Sequence, residues 1–142
     1  MLRSLFNAVN RHEYVRASSY WETNAQGLAP YDQFEAGYAN TGSVQLTTGT
    51  VLSDAGAGQR YYQVPVTLVA LTTDNVMQTF VGCYTLHISV PELQGTPPFH
   101  PLGIMSASRK AATQLRSTLK LPPGLRRPHA LLFQPYVSFR AV

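Results

Sequence analysis

Charge is what this sequence has least of. Asp, Glu, Lys and Arg make up 13% of its 142 residues, about half the share usual in soluble domains. With 44% hydrophobic residues the chain is too apolar for disorder, which needs low hydrophobicity and high net charge. A coiled coil is excluded too, because its solvent-facing positions require abundant Glu, Lys and Arg. No uninterrupted apolar run approaches the roughly 18 residues of a membrane-spanning helix, so no transmembrane segment is expected. Cysteine occurs once, at Cys83, which rules out an intramolecular disulfide. Its apolar surroundings predict a buried, inert thiol. His12, His87, His100 and His129 are scattered and show no metal-ligand spacing, so no metal or cofactor is expected.

Acids are also missing from one end. Residues 1–108 hold all seven acids and only four bases, whereas 109–142 hold seven bases and no acid. The pI near 9.5 therefore belongs to the end of the chain rather than to its body. Such asymmetry can mark an arm for nucleic acid or an anionic surface. No aromatic residues interleave with the bases to offer a stacking platform. Residues 111–142 accordingly read as a solvated basic extension, and nucleic acid is not expected as a partner. The start of the chain lacks the continuous apolar stretch of roughly 7–15 residues and the small-residue cleavage site of a signal peptide, so no export signal is expected in it.

The patterning that is present divides in two. Leu2, Leu5, Phe6 and Val9 recur at helical spacing. Asn10 followed three residues later by Glu13 has the spacing of a capping box, which predicts a second helix carrying Tyr14, Ala17, Ser18 and Trp21 on one face. Ala25 to Gly27 reads as a loop. Pro30 suits the first position of a short third helix over 30–36 with Phe34 inward, and Gly37 suits a left-handed C′ position. From Gly42 the period changes to two. A first strand carries Val44, Leu46, Thr48, Thr50 and Leu52 on one face, and 54–58 reads as a flexible connection. A second strand over about 60–72 turns Tyr62, Val64, Val66, Leu68 and Ala70 the same way, with Pro65 predicting an edge or a bulge. A two-residue Asp74-Asn75 turn leads to a third strand over about 76–90, whose inward face is Phe80, Gly82, Tyr84, Leu86, Ile88 and Val90. Gly82 predicts a bend or bulge. A proline-rich loop precedes a last strand over Pro101 to Ser108, with a helix expected over 109–119.

Helices followed by long, strongly curling antiparallel strands resemble the NTF2-like superfamily. The likeness is carried by LFNAVNRHEYVRASSYW at 5–21, FEAGYANTGSV at 34–44, FVGCYTLHISV at 80–90 and PPFHPLGIMSA at 97–107. It covers roughly 1–110 and leaves 111–142 outside. It implies an α+β cone, with N-terminal helices packed in a curved antiparallel sheet around an internal pocket. Within the superfamily these segments are most similar to small bacterial NTF2-like domains of exported or envelope proteins, a branch without a settled activity. That likeness implies an exported or envelope location.

Within such a cone three constellations follow. Trp21, Phe34, Tyr38, Tyr62, Phe80 and Tyr84 fall on inward faces and form a candidate ligand pocket or plain core, since Tyr and Trp keep a polar tip that wants a partner when buried. Acid/base chemistry of the ketosteroid-isomerase type needs an inward carboxylate or His facing a Tyr or protonated acid; Asp32, Glu35 and His100 are the weak candidates for it. Gln45, Thr47, Thr67, Val69, Thr85 and His87 make an outer face that is Thr-rich and nearly uncharged, which suits a homodimer; His87 is read there as a lone exposed side chain. The expected function is a non-catalytic binding or accessory domain for a small, partly apolar ligand or a protein partner. The alternative is a cofactor-independent isomerase, cyclase or hydrolase in the same cone.

Overall fold

The computed structural model describes residues 1–97, 99 and 101–112; His100 and most of the basic extension lie outside the described residues. Helix α1 (Leu2–Asn10) forms because Leu2, Leu5, Phe6 and Val9 build one apolar stripe, and all four are buried together with Ala8. Burying a side chain of this size stabilises by about 1.5–3 kcal/mol. The capping box does not form. The Asn10 side chain instead reaches the next layer, donating from Nδ2 to the Val44 carbonyl at 2.9 Å and accepting from the Val44 N–H at 2.7 Å. Glu13 pairs with Arg11 and Arg16, each at 2.6 Å, and caps nothing with its side chain. Helix α2 (Tyr14–Ser18) is correspondingly short and buries only Ala17.

Trp21 is not helical. It opens strand β1 (Trp21–Gln26), where an expected helix and loop give way to pairing with the last strand. Helix α3 (Tyr31–Ala36) buries Phe34, and Pro30 caps it from outside. Gly37 closes it with φ of −61°, so no left-handed cap is made and glycine's freedom is not used there.

The remaining strands are β2 (Thr41–Thr48), β3 (Leu52–Gly56), β4 (Gln59–Thr72), β5 (Met77–Ser89) and β6 (Gly103–Ala111), with a 3-10 turn at Pro91–Leu93 before β6. The sheet order is β1-β6-β5-β4-β2, with β3 also paired to β4. Only β1 with β6 is parallel; the other pairings are antiparallel. The run expected as one strand from Gly42 to Leu52 is thus broken after Thr48. Pro65 explains the break. Its carbonyl accepts from the Gly49 N–H at 2.8 Å, so its nitrogen faces the same side, where it has no proton to give. β2 ends opposite Val66 and β3 begins opposite Gln63. The proline therefore sits inside a central strand, at the gap between two partners, not at an edge.

The two hairpins differ from expectation as well. Ala57 and Gly58 both take positive φ, 49° and 74°, as a two-residue primed turn requires, so 52–58 is a hairpin and not a loose connection. At 73–75 only Asn75 has positive φ, 60°, and its N–H donates to the Thr72 carbonyl at 3.0 Å. This is a three-residue loop rather than a two-residue one.

The sheet is curved and open. Val44, Val64, Val66, Leu68, Tyr84, Leu86 and Ile104 on its concave face pack against Leu2, Leu5, Phe6 and Val9 of α1 in one core. The parities expected for β4 and β5 are the observed ones. The end expected for the strand beginning at Pro101 is not: β6 continues to Ala111, so Arg109 and Lys110 are strand residues and no helix starts at 109.

Candidate functional site

Tyr84 is the centre of the concave face and is fully buried. The Phe6 ring meets it edge-on at 6.1 Å between centroids, and the Trp21 ring lies tilted against it at 6.1 Å. Among the described residues its hydroxyl has no hydrogen-bond partner, and neither does the buried Nε1 of Trp21. Leaving a buried donor unpaired costs about 1–3 kcal/mol. Burial pushes the Tyr84 phenol well above its ordinary pKa, while the Arg109 charge draws it back.

A second aromatic group covers the helix side. Tyr38 stands edge-on to Phe34 at 5.3 Å and stacks on Tyr14 at 6.1 Å. Burial and then the nearby Glu35 charge raise the Tyr14 pKa. Tyr62 and Phe80 are half-buried against the same core. All six aromatic residues singled out from the sequence thus touch one core, Trp21 by way of a strand instead of a helix.

Arg109 is the concave-face residue that the pattern hid. It lies opposite Gly82, and Ala107 lies opposite Tyr84, so Arg109 and Tyr84 are diagonal neighbours on one face, within reach for a long side chain. The register of β5 on β6 shifts between Thr85 and Leu86. Ile104, Ala107 and Arg109 therefore face inward, whereas strict alternation from Ile104 would turn Arg109 out. Gly82 sets the approach. A Cβ there would stand 1.9 Å from the Ser108 carbonyl oxygen and 3.0 Å from the Arg109 Cα, so its role is close backbone contact rather than a bend. Against the opposing effect of desolvation, the neighbouring Tyr84 and Tyr38 phenols favour the charged guanidinium and raise the Arg109 pKa.

The acid/base candidates sit elsewhere. Asp32 and Glu35 are exposed on α3, and His100 is outside the described residues. Glu35 lines an open groove of about 500 Å³ on the helical side with His12, Tyr14, Arg16 and Tyr31. Another groove, of about 330 Å³, lies on the outer sheet face beside Asp54, Tyr61, Gln63, Thr85 and Ser106. Among the described residues no three His, Cys, Asp or Glu side chains come together as metal ligands, and no helix is long and apolar enough to cross a membrane. Cys83 is half-buried.

On that outer face Gln45 pairs with Val69 and Thr47 with Thr67 across β2 and β4. His87 is not the lone exposed side chain expected. Its Nδ1 donates to Glu22 Oε1 at 2.7 Å, its Nε2 contacts the Gln59 side-chain oxygen, and the Tyr61 ring stacks on it at 4.8 Å. Ser89 donates to the same Gln59 oxygen at 2.8 Å. Glu22 reaches His87 across Gly103, where a Cβ would come within 2.5 Å of the Glu22 Cγ. This network was hidden because Trp21, the neighbour of Glu22, was expected on a helix, whereas both lie on β1.

No protein-family model matches the chain, and no curated protein matches it in sequence. Among solved structures it is similar to a candidate dehydratase of the NTF2-like family from Streptomyces avermitilis, with 13% identity over 77% of this chain and 89% of that one and a TM-score of 0.50. It is also similar to Aln2 from another Streptomyces species, with 11% identity over 78% and 84% and a TM-score of 0.49. Helices standing in a curved, open sheet, together with the first of these likenesses, identify the fold of this chain as NTF2-like.

Proposed function

We propose that this domain binds a small, partly apolar ligand on its concave face and performs no chemistry on it. One observation carries the reading: the buried Tyr84 hydroxyl and Trp21 indole N–H meet no acceptor among the described residues, in an interior otherwise built of apolar and aromatic side chains. Placing unpaired donors in a core is costly, and a bound acceptor offsets that cost. The exposure of Asp32 and Glu35 favours binding over the isomerase, cyclase or hydrolase alternative, since a general base must reach the substrate.

The domain works as a homodimer in this reading, paired through the outer face that carries Gln45, Thr47, Thr67, Val69 and Thr85. That face has no carboxylate or cation among those five residues, and low charge favours association. Native mass spectrometry of protein purified without added ligand tests both parts. A dimer with a retained extra mass is the expected result. A bare monomer contradicts the dimer, and an apoprotein that takes up no small molecule from a chemically diverse library contradicts the pocket.

A further inference from the structure

Building on the pocket reading, we infer that the concave face is an organic-acid site, in which the Arg109 guanidinium and the Tyr84 hydroxyl together receive the carboxylate of a small planar acid. The argument starts from a count of partners. Arg109 is a cation on the aromatic concave face, yet among the described residues no carboxylate pairs with it. The chain has seven acids, all among residues 1–92. Glu13 is paired with Arg11 and Arg16, and Glu22 with His87. The other five, Asp32, Glu35, Asp54, Asp74 and Glu92, are exposed and form no ion pair with Arg109 among the described residues. Close by, the Tyr84 hydroxyl is a fully buried donor without an acceptor, and the Trp21 indole against its ring carries another.

The unpartnered groups here, a hydroxyl and an indole N–H beside a cation, can all donate. An acceptor with negative charge would serve all three. A carboxylate matches better than a phosphate. One guanidinium offers a planar fork that fits two carboxylate oxygens, whereas a phosphate dianion would leave charge unmatched beside one cation. The flanking rings of Tyr84, Trp21, Phe6 and Tyr38 select a flat, apolar body behind the acid group.

The backbone supports the placement. Without a side chain at Gly82, the β6 backbone comes close to β5 there, with Arg109 diagonally across from Tyr84.

The test is a matched pair of probes, 2-naphthoate and its neutral isostere 2-naphthamide, titrated by calorimetry at neutral pH. Binding is followed in parallel through the single indole N–H resonance, because Trp21 is the only tryptophan. The expected result is that naphthoate binds at least tenfold tighter than the amide and shifts the Trp21 indole signal. In Arg109→Gln the preference for naphthoate should be lost, with the two probes binding within about twofold of each other. Equal affinities in the native protein, or a preference that survives Arg109→Gln, overturn the organic-acid inference and leave the pocket standing. Binding of neither probe overturns both.

Discussion

The two faces of one sheet treat their polar groups in opposite ways. On the outer face, His87 has a partner at each ring nitrogen, Glu22 and Gln59, a tyrosine ring stacked on it, and Ser89 completing the set. On the concave face, Tyr84 and Trp21 hold buried donors with no partner among the described residues, next to an arginine with no carboxylate among them. The contrast is not one of polarity, since both faces carry hydroxyls and ring nitrogens. It is one of completeness. A closed network contributes to stability and asks for nothing more, whereas an open set of like-signed groups is destabilising until something fills it. The outer network therefore belongs to the fold, and on the proposed reading the concave set belongs to binding.

The largest expected effect comes from removing the centre of the concave face. Tyr84→Ala should destabilise by about 3–5 kcal/mol, the range of large aromatic truncations in cores, read by urea unfolding. A loss under about 1 kcal/mol would mean that the ring is not core at all. Next is Gly82→Ala. A methyl group 1.9 Å from the Ser108 carbonyl oxygen must push β6 away, at about 1–3 kcal/mol. Because that movement carries Arg109 with it, the preference for 2-naphthoate over 2-naphthamide should fall as well; a preserved preference would separate Gly82 from the site. On the other face, His87→Ala should cost about 1–2 kcal/mol by leaving Glu22 and Gln59 short of a partner. Its calorimetric affinity for naphthoate should match the native protein's, and a parallel loss of binding would break the division between the faces. The smallest effect is expected at Asp32→Asn and Glu35→Gln, within about 0.5 kcal/mol in thermal unfolding, as for exposed positions without special contacts.

The same contrast explains what was legible in the sequence. Helix α1 and the concave parities of β4 and β5 could be read because each is a strong, uninterrupted period that one packed face enforces. Tyr84 and its aromatic neighbours followed from that parity. What escaped was whatever depended on a partner distant in the chain. Trp21–Gln26 has no alternation of its own and becomes a strand through pairing with β6, about eighty residues on; with Glu22 misread, its link to His87 was invisible. Asn10 had a local role open to it as a cap, and the Val44 backbone outcompeted it. Arg109 escaped for a different reason. A single register shift in β6 reverses the parity beyond it, and a bulge leaves no mark in composition. Its place at the head of a basic run made it look like the start of a tail.

Tyr84→Phe tests the central claim most directly, because it removes one oxygen atom and keeps the ring. If the buried hydroxyl is an unpaired donor held for a ligand, the variant alone should melt at or above the temperature of the native protein, and 2-naphthoate should raise its melting temperature less than it raises the native one. A variant that melts lower by itself and gains as much from the acid would show that the hydroxyl serves the fold, and would contradict the account.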